Sequence, residues 1–403
     1  MKVLIVSPCD LPVPAVKGGA VATLIESLIK ENTVRKQLSV DVISIYDEDA
    51  KKKSEKYFNT KFIWIKVPKV IKILDKIIDT LLVCAKISHK PKEYCRKLYV
   101  IKKISSYQEK RTPYDAVIIQ NSGYLLKAFK KTDNNNLYYY LHNDIPHNAD
   151  KDILNKCKFI LISEYLKIGV KNYIPDISSD RMVVLKNGIN INRFTKKCQP
   201  EEVLEFKREF GISREKKIVL FVGRINESKG LKELLKAMEL NNREDIQLVI
   251  IGSTNFGMKE KSAYEKEIEN YCNKLGQRVI MTGFVHNSEI WKCYALSDVV
   301  VLPSIWQEPA GLTMIEACAS GTPLITTKSG GIPEYISDEY SIILDINDEL
   351  PTKISESINQ ILENEEYWKH NAMCAQQRVI NKFSENVYYK NFVNVLCDGK
   401  SMM

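Results

Sequence analysis

DVVVLPSIWQEPAGLTMIEA, residues 298–317, decides the fold. Its first seven residues are a near-continuous apolar run, the pattern of a strand buried on both faces rather than on one. The run ends at Ser304, Pro309 halts any earlier helix, and a new helix is expected from about Gly311 or Leu312. Strand, loop and helix thus follow one another within twenty residues. Two carboxylates, Glu308 and Glu316, straddle the turn with seven residues between them.

The same alternation extends in both directions. Upstream, apolar runs at 217–223 and 246–252 precede one at 279–285, and downstream runs follow at 323–327 and 341–345. The first half of the chain repeats the scheme, with runs at 2–7, 40–46, 62–67, 115–120, 137–142, 159–163 and 182–188. Helical stretches between such strands imply right-handed crossovers, hence an α/β protein with one doubly wound parallel sheet in each half. A charged stretch around 195–216 separates the halves. The expected division is an N-terminal Rossmann-like domain over 1–195, a C-terminal one over 196–380, and a last helix over 381–403 packing back on the first. Two facing domains of this kind would enclose a cleft, with ligands at the carboxyl ends of the strands.

Composition narrows the class. A chain of 403 residues with 44% hydrophobic content suits two globular domains. Ten scattered cysteines without a C-x-x-C pair speak against a zinc site or a disulfide framework and for a reducing compartment. The opening MKVLIVSPCD reads as a first strand rather than a secretory segment, and no apolar run approaches the ~18 residues that span a bilayer. The expectation is a cytoplasmic protein, soluble or peripheral on the inner face of the plasma membrane.

Charge is uneven. The chain carries a net +9, yet residues 61–111 hold 14 basic and 4 acidic side chains, leaving the remainder near neutral. Within that segment, 70–86 spaces Ile, Leu and Val at nearly helical intervals, with Lys72, Lys76 and Lys86 between them. Such a pattern fits either a solvated helix on a domain core or a helix lying on an anionic membrane surface. Nucleic acid is not indicated, because the basic stretch has no recognition motif and no aromatic platform.

Chemistry collects at the strand ends. KIVLFVG (217–223) leads into Arg224 and Lys229, and Gly230 opens a helix. Two cations beside a helix N-terminus suit a diphosphate. Glu308 and Glu316, about 12 Å apart at helical rise, are acceptor-only groups matched to paired hydroxyls. Together they fit a nucleotide-sugar: one glutamate on each hydroxyl-rich ring, and the backbone N–H groups of Ala310, Gly311 and Leu312 on the charge between.

These motifs resemble the retaining glycosyltransferases of family 4, which adopt the GT-B fold. E-x7-E follows LPS, VGRI…KG lies about eighty residues earlier, KGGA (17–20) follows the first strand, and LKNGIN…F (185–194) precedes the junction. The resemblance runs nearly end to end. It implies that Arg224 and Lys229 bind the donor diphosphate, that Glu308 contacts the transferred sugar, and that Glu316 holds the ribose. It also implies that Gly18 and Gly19 let backbone approach the phosphates. The family places a histidine near the reacting sugar. His142, at the end of the tyrosine-rich run, fits that place, with His147 as rival. The implied reaction transfers a sugar with retention from a nucleotide-diphosphate donor, most commonly UDP-linked in the family, without metal or other cofactor. The implied acceptor is a glycan or a polyprenyl-diphosphate-linked glycan, in cell-surface polysaccharide synthesis such as capsule or O-antigen.

Three rival readings stand beside this one. Asp47-Glu48-Asp49 resembles a metal-binding D-x-D motif, but it also reads as a solvated turn, and the cations above already serve the diphosphate. A sugar-nucleotide 2-epimerase shares the two-domain fold. A non-catalytic partner subunit would be expected to lack Lys229 or Glu308, and both are present.

Overall fold

The computed structural model describes residues 1–84, 93–108, 113–130, 136–146, 150–196, 198–252, 262–286 and 288–401. The chain forms two compact units. One comprises Met1–Lys186 with Tyr388–Met403, and the other Asn187–Val387.

In the first unit seven parallel strands lie in the order β3-β2-β1-β4-β5-β6-β7. They are β1 (Lys2–Val6), β2 (Ser39–Ile45), β3 (Thr60–Ile65), β4 (Ala116–Gln120), β5 (Leu137–Leu141), β6 (Lys158–Leu161) and β7 (Met182–Val184). β1, β4 and β5 are buried almost throughout, which is why their sequences are unbroken apolar or tyrosine runs. The order reverses between β1 and β4, paired from Val3 with Ala116 to Val6 with Ile119. A crevice opens at the carboxyl ends of such a pair, because the two following connections leave on opposite faces of the sheet.

The second unit repeats the plan with six parallel strands in the order β10-β9-β8-β11-β12-β13. These are β8 (Lys217–Val222), β9 (Ile246–Ile251), β10 (Val279–Gly283), β11 (Val299–Leu302), β12 (Leu324–Thr327) and β13 (Ile342–Leu344). Here the reversal lies between β8 and β11, where Val219 pairs with Val299 and Leu220 with Val300. The decisive stretch therefore supplies one strand of the switch point, and KIVLFVG supplies the other.

The charged stretch between the halves is folded. Residues Pro200–Glu209 are a helix whose N-terminal Gln199 N–H is held by Glu202 (3.0 Å) and whose Phe206 joins the second unit's core. The last helix, Glu385–Ser401, brings Tyr388 and Tyr389 into the first unit. The Tyr388 hydroxyl lies 3.2 Å from that of Tyr140, and the Tyr389 hydroxyl donates to Asn32 Oδ1 at 2.8 Å. Among the described residues, no helix is long and apolar enough to cross a membrane.

Candidate active site

Two loops leave the second unit's switch point and are stitched together. After β8 the chain passes the exposed Arg224, makes a single 3-10 turn over Glu227–Lys229, and enters the helix Leu231–Leu240. Gly230 caps that helix with φ 69°, and a Cβ there would sit 1.8 Å from the Pro303 carbonyl oxygen. Only glycine admits both the left-handed backbone and this approach. The Ser228 carbonyl accepts the N–H groups of Ile305 (3.0 Å) and Trp306 (3.2 Å), which binds the loop after β11 to the loop after β8.

This stitching puts Lys229 against Glu308. The ammonium pairs with the Glu308 carboxylate, which lies 2.8 Å from the Ser304 hydroxyl. The glutamate's backbone is gripped from β12's side: its carbonyl accepts the Gly331 N–H at 2.6 Å, and a Cβ on Gly330 would lie 2.3 Å from that oxygen. Ser304, Gly330 and Gly331 carry no charge that marks them in the sequence. The doubled glycine at 330–331 points to close backbone approach without saying to what, and Ser304 has no such signal.

Glu316 lies in the second turn of the helix Leu312–Ser320, whose N-terminus carries no side-chain cap. Its carboxylate accepts from Tyr294 Oη at 3.2 Å. Burial is the dominant influence and pushes its pKa up to about 7, against the opposing pull of the Arg193 charge and the Tyr294 hydrogen bond. Arg193 itself stacks on Phe194, with its guanidinium carbon 5.0 Å from the ring centre. Ala310 and Leu312 pack on the core beside Gly311, the residue before the helix.

The first unit has its own cluster at its switch point. The loop after β1 ends in Gly18 (φ 71°) and Gly19 (φ 95°), and Gly19 precedes the helix Ala20–Arg35, again without a side-chain cap. The loop is braced by Glu26, which accepts from the Ala15 N–H at 2.8 Å, Lys53 Nζ at 3.0 Å and Tyr57 Oη at 2.6 Å. Across the switch, β4 ends in Gln120, and Asn121 follows it. Asn121 Oδ1 accepts the His142 N–H at 3.0 Å, and His142 Nε2 lies 2.7 Å from Gln120 Oε1. The ring stacks on Tyr140 at 4.3 Å.

Burial lowers the His142 pKa to about 3, so the ring is neutral at physiological pH. Its Nδ1 has no hydrogen-bond partner among the described residues. A neutral buried imidazole with one free nitrogen is equipped to hydrogen-bond a hydroxyl, not to supply charge. His147, the rival, falls outside the described residues. Asp47 accepts the Ala50 N–H at 3.2 Å as a helix cap and pairs with Lys17 at 2.5 Å.

Residues 202–378 match the model of the glycosyl transferases group 1 family. These residues are a group 1 glycosyltransferase domain. The domain takes in Lys229, Glu308, Glu316 and the whole switch point of the second sheet. The chain is 32% identical over 250 residues to an uncharacterized glycosyltransferase, MJ1607, of Methanocaldococcus jannaschii, a match spanning 61% of each chain. It is also 26% identical to spore coat protein SA of Bacillus subtilis over 98% of this chain and 99% of that one. Among solved structures, Anabaena HepE in complex with UDP superposes with a TM-score of 0.71 at 19% identity, covering 99% and 100% of the two chains. The two parallel sheets, one in each unit, are those of the GT-B fold.

Proposed function

We propose that the protein transfers a sugar from a UDP-linked donor to a hydroxyl of a glycan or a polyprenyl-diphosphate-linked glycan, in cell-surface polysaccharide synthesis. The observation that carries this reading is the Lys229–Glu308 pair at the second sheet's switch point. It sets a cation for phosphate and an acceptor for sugar hydroxyls side by side, next to an uncapped helix N-terminus.

In this scheme the anomeric C–O bond to the diphosphate breaks as the acceptor hydroxyl's oxygen bonds to the same carbon. The hydroxyl proton passes to the departing diphosphate, and the nucleoside diphosphate leaves. Arg224, Lys229 and the N–H groups around Ala310, Gly311 and Leu312 hold the charge that develops on the leaving oxygen. No metal is needed for that task, because two cations and a helix end supply the neutralisation. Glu308 accepts from the sugar's hydroxyls, Glu316 from the ribose, and His142 Nδ1 from the reacting sugar. Gly18 and Gly19 allow the first unit's backbone close to the phosphates. The anomeric configuration is retained through attack on the face the diphosphate leaves.

The test is a panel of UDP-, GDP- and ADP-linked sugars, scored by thermal shift and by nucleotide release in excess EDTA. A UDP-sugar should stabilise the protein and release UDP with full activity in EDTA. Loss of activity in EDTA would remove metal independence, and an epimerised sugar nucleotide formed without acceptor would replace the transferase reading. A lipid-linked acceptor places the protein peripherally on the cytoplasmic face of the membrane.

A further inference from the structure

The helix Lys69–Cys84 is turned inside out. Its buried polar residue is Asp75, whose two carboxylate oxygens accept the N–H groups of Cys95 (2.8 Å) and Arg96 (3.0 Å), capping the neighbouring helix Tyr94–Gln108. Five of its apolar residues face solvent instead. Val70, Ile73, Leu74, Ile77 and Leu81 are all 45–65% exposed. Their spacing of three, one, three and four places them on one stripe, opposite Asp75. That stripe runs for roughly 17 Å along the helix.

One edge of the stripe is cationic, bordered by Lys69 and Lys76, whereas Lys72 falls on the far side nearer Asp75. Lys69, Lys72 and Lys76 are exposed on this helix, with Lys66 just before it, whereas Asp75 is turned inward and Asp79 is half-buried. Five aligned aliphatic side chains have no core role, since the helix is fixed from its other side by the Asp75 cap. A continuous exposed patch of this kind marks an interaction surface.

We propose that this face seats the protein on an anionic bilayer, with the aliphatic stripe at the acyl boundary and the lysines on lipid phosphates. An extended apolar strip beside a row of like charges matches the layering of a membrane surface, in which apolar chains and anionic headgroups are separated by depth. This deepens the functional reading above, since it rests on a lipid-linked acceptor as the reason for the surface.

Sedimentation with vesicles tests it, using phosphatidylcholine alone or with about one third phosphatidylglycerol. The wild-type protein should bind the anionic vesicles at low salt at least about tenfold better than the neutral ones, and should be released by high salt. Ile73→Ser/Ile77→Ser should lose about tenfold or more in vesicle affinity, since two aliphatic side chains that enter the acyl boundary on binding are removed. Lys69→Gln/Lys72→Gln/Lys76→Gln should lose the preference for phosphatidylglycerol. Both variants should keep the wild-type melting temperature and UDP affinity, because the altered side chains are solvent-exposed. The proposal is overturned if the wild type ignores anionic vesicles or if both variants bind them as it does. It is also overturned if the isoleucine variant only converts a dimer to a monomer, which would make the face a contact with a second copy. UDP affinity measured on the same samples separates the two ideas, since its absence would sink the donor reading while leaving the vesicle result standing.

Discussion

At the scale of single residues, the site divides into groups the sequence announces and groups only the folded chain reveals. Lys229, Arg224, Glu308 and Glu316 were legible as candidates because charge near the carboxyl end of a buried strand is conspicuous. Their partners Ser304 and Tyr294 were not, because one hydroxyl or one tyrosine among twenty carries no pattern. Lys229→Ala and Arg224→Ala should each lower kcat/KM for the donor by roughly thirty- to nine-hundredfold, about 2–4 kcal/mol of transition-state stabilisation, with little change in melting temperature. A loss under about threefold in steady-state assays would remove either residue from the diphosphate site. The ion pair sharpens the expectation for the glutamates. Glu308→Gln frees Lys229, so UDP measured by calorimetry should bind no more weakly than to wild type, while turnover falls. Glu316→Ala should instead weaken UDP itself, and equal losses in both variants would refute the division. Glu316 also sets a pH dependence. Its folded-state pKa of about 7 lies above the ordinary 4.5. The stability it confers is therefore complete below pH 4.5 and is lost as pH rises through 7. Ribose hydroxyls donate and favour the carboxylate, so UDP affinity should fall as pH drops from 8 to 6. Glu316→Gln should flatten that component, leaving only the titration of the nucleotide phosphate.

At the scale of elements, strand existence and order of appearance were readable throughout, because buried parallel strands write themselves as apolar runs. What the runs could not convey was adjacency. Nothing in KIVLFVG or DVVVLPS says that β8 and β11 are neighbours, yet the loops that follow meet only because they are. Gly230 is the point where that adjacency becomes a steric demand. Gly230→Ala adds a Cβ 1.8 Å from a backbone oxygen at a positive φ, so the loop must move. It should lower stability by roughly 1–3 kcal/mol and weaken donor binding as well, since Lys229 moves with it. Gly18→Ala has open space around it at a similar φ, and only the left-handed strain of about 1–2 kcal/mol applies. Thermal melts and UDP titrations of the two variants side by side would expose a wrong assignment, because both glycines would then behave alike. The helix Lys69–Cys84 shows a different limit of sequence reading. Periodicity located its apolar stripe but could not say which way the stripe pointed; the buried Asp75 does.

At the scale of the whole molecule, the two-sheet plan was legible from the doubled alternation of strands and helices. A last helix packing back on the first domain was expected, but which of its residues fill that core was not legible, since tyrosines at 388 and 389 look the same whichever core receives them. Both are buried in the first unit, at 2% and 0% exposure. Tyr389→Ala should therefore destabilise the first unit by roughly 3–5 kcal/mol, as for other large buried aromatics, and leave UDP affinity in the second largely intact. Hydrogen exchange resolved along the chain would show the loss, and a change confined to residues 187–387 would contradict it. This dependence also bears on synthesis. A ribosome delivers the chain from its N-terminus, and domains usually fold in that order. Here the second unit is one continuous stretch, Asn187–Val387, and can close as soon as it emerges. The first unit, although made earlier, waits with an unfilled core until the tyrosines behind the second arrive. Until then its strands are the ones a chaperone would have to shield.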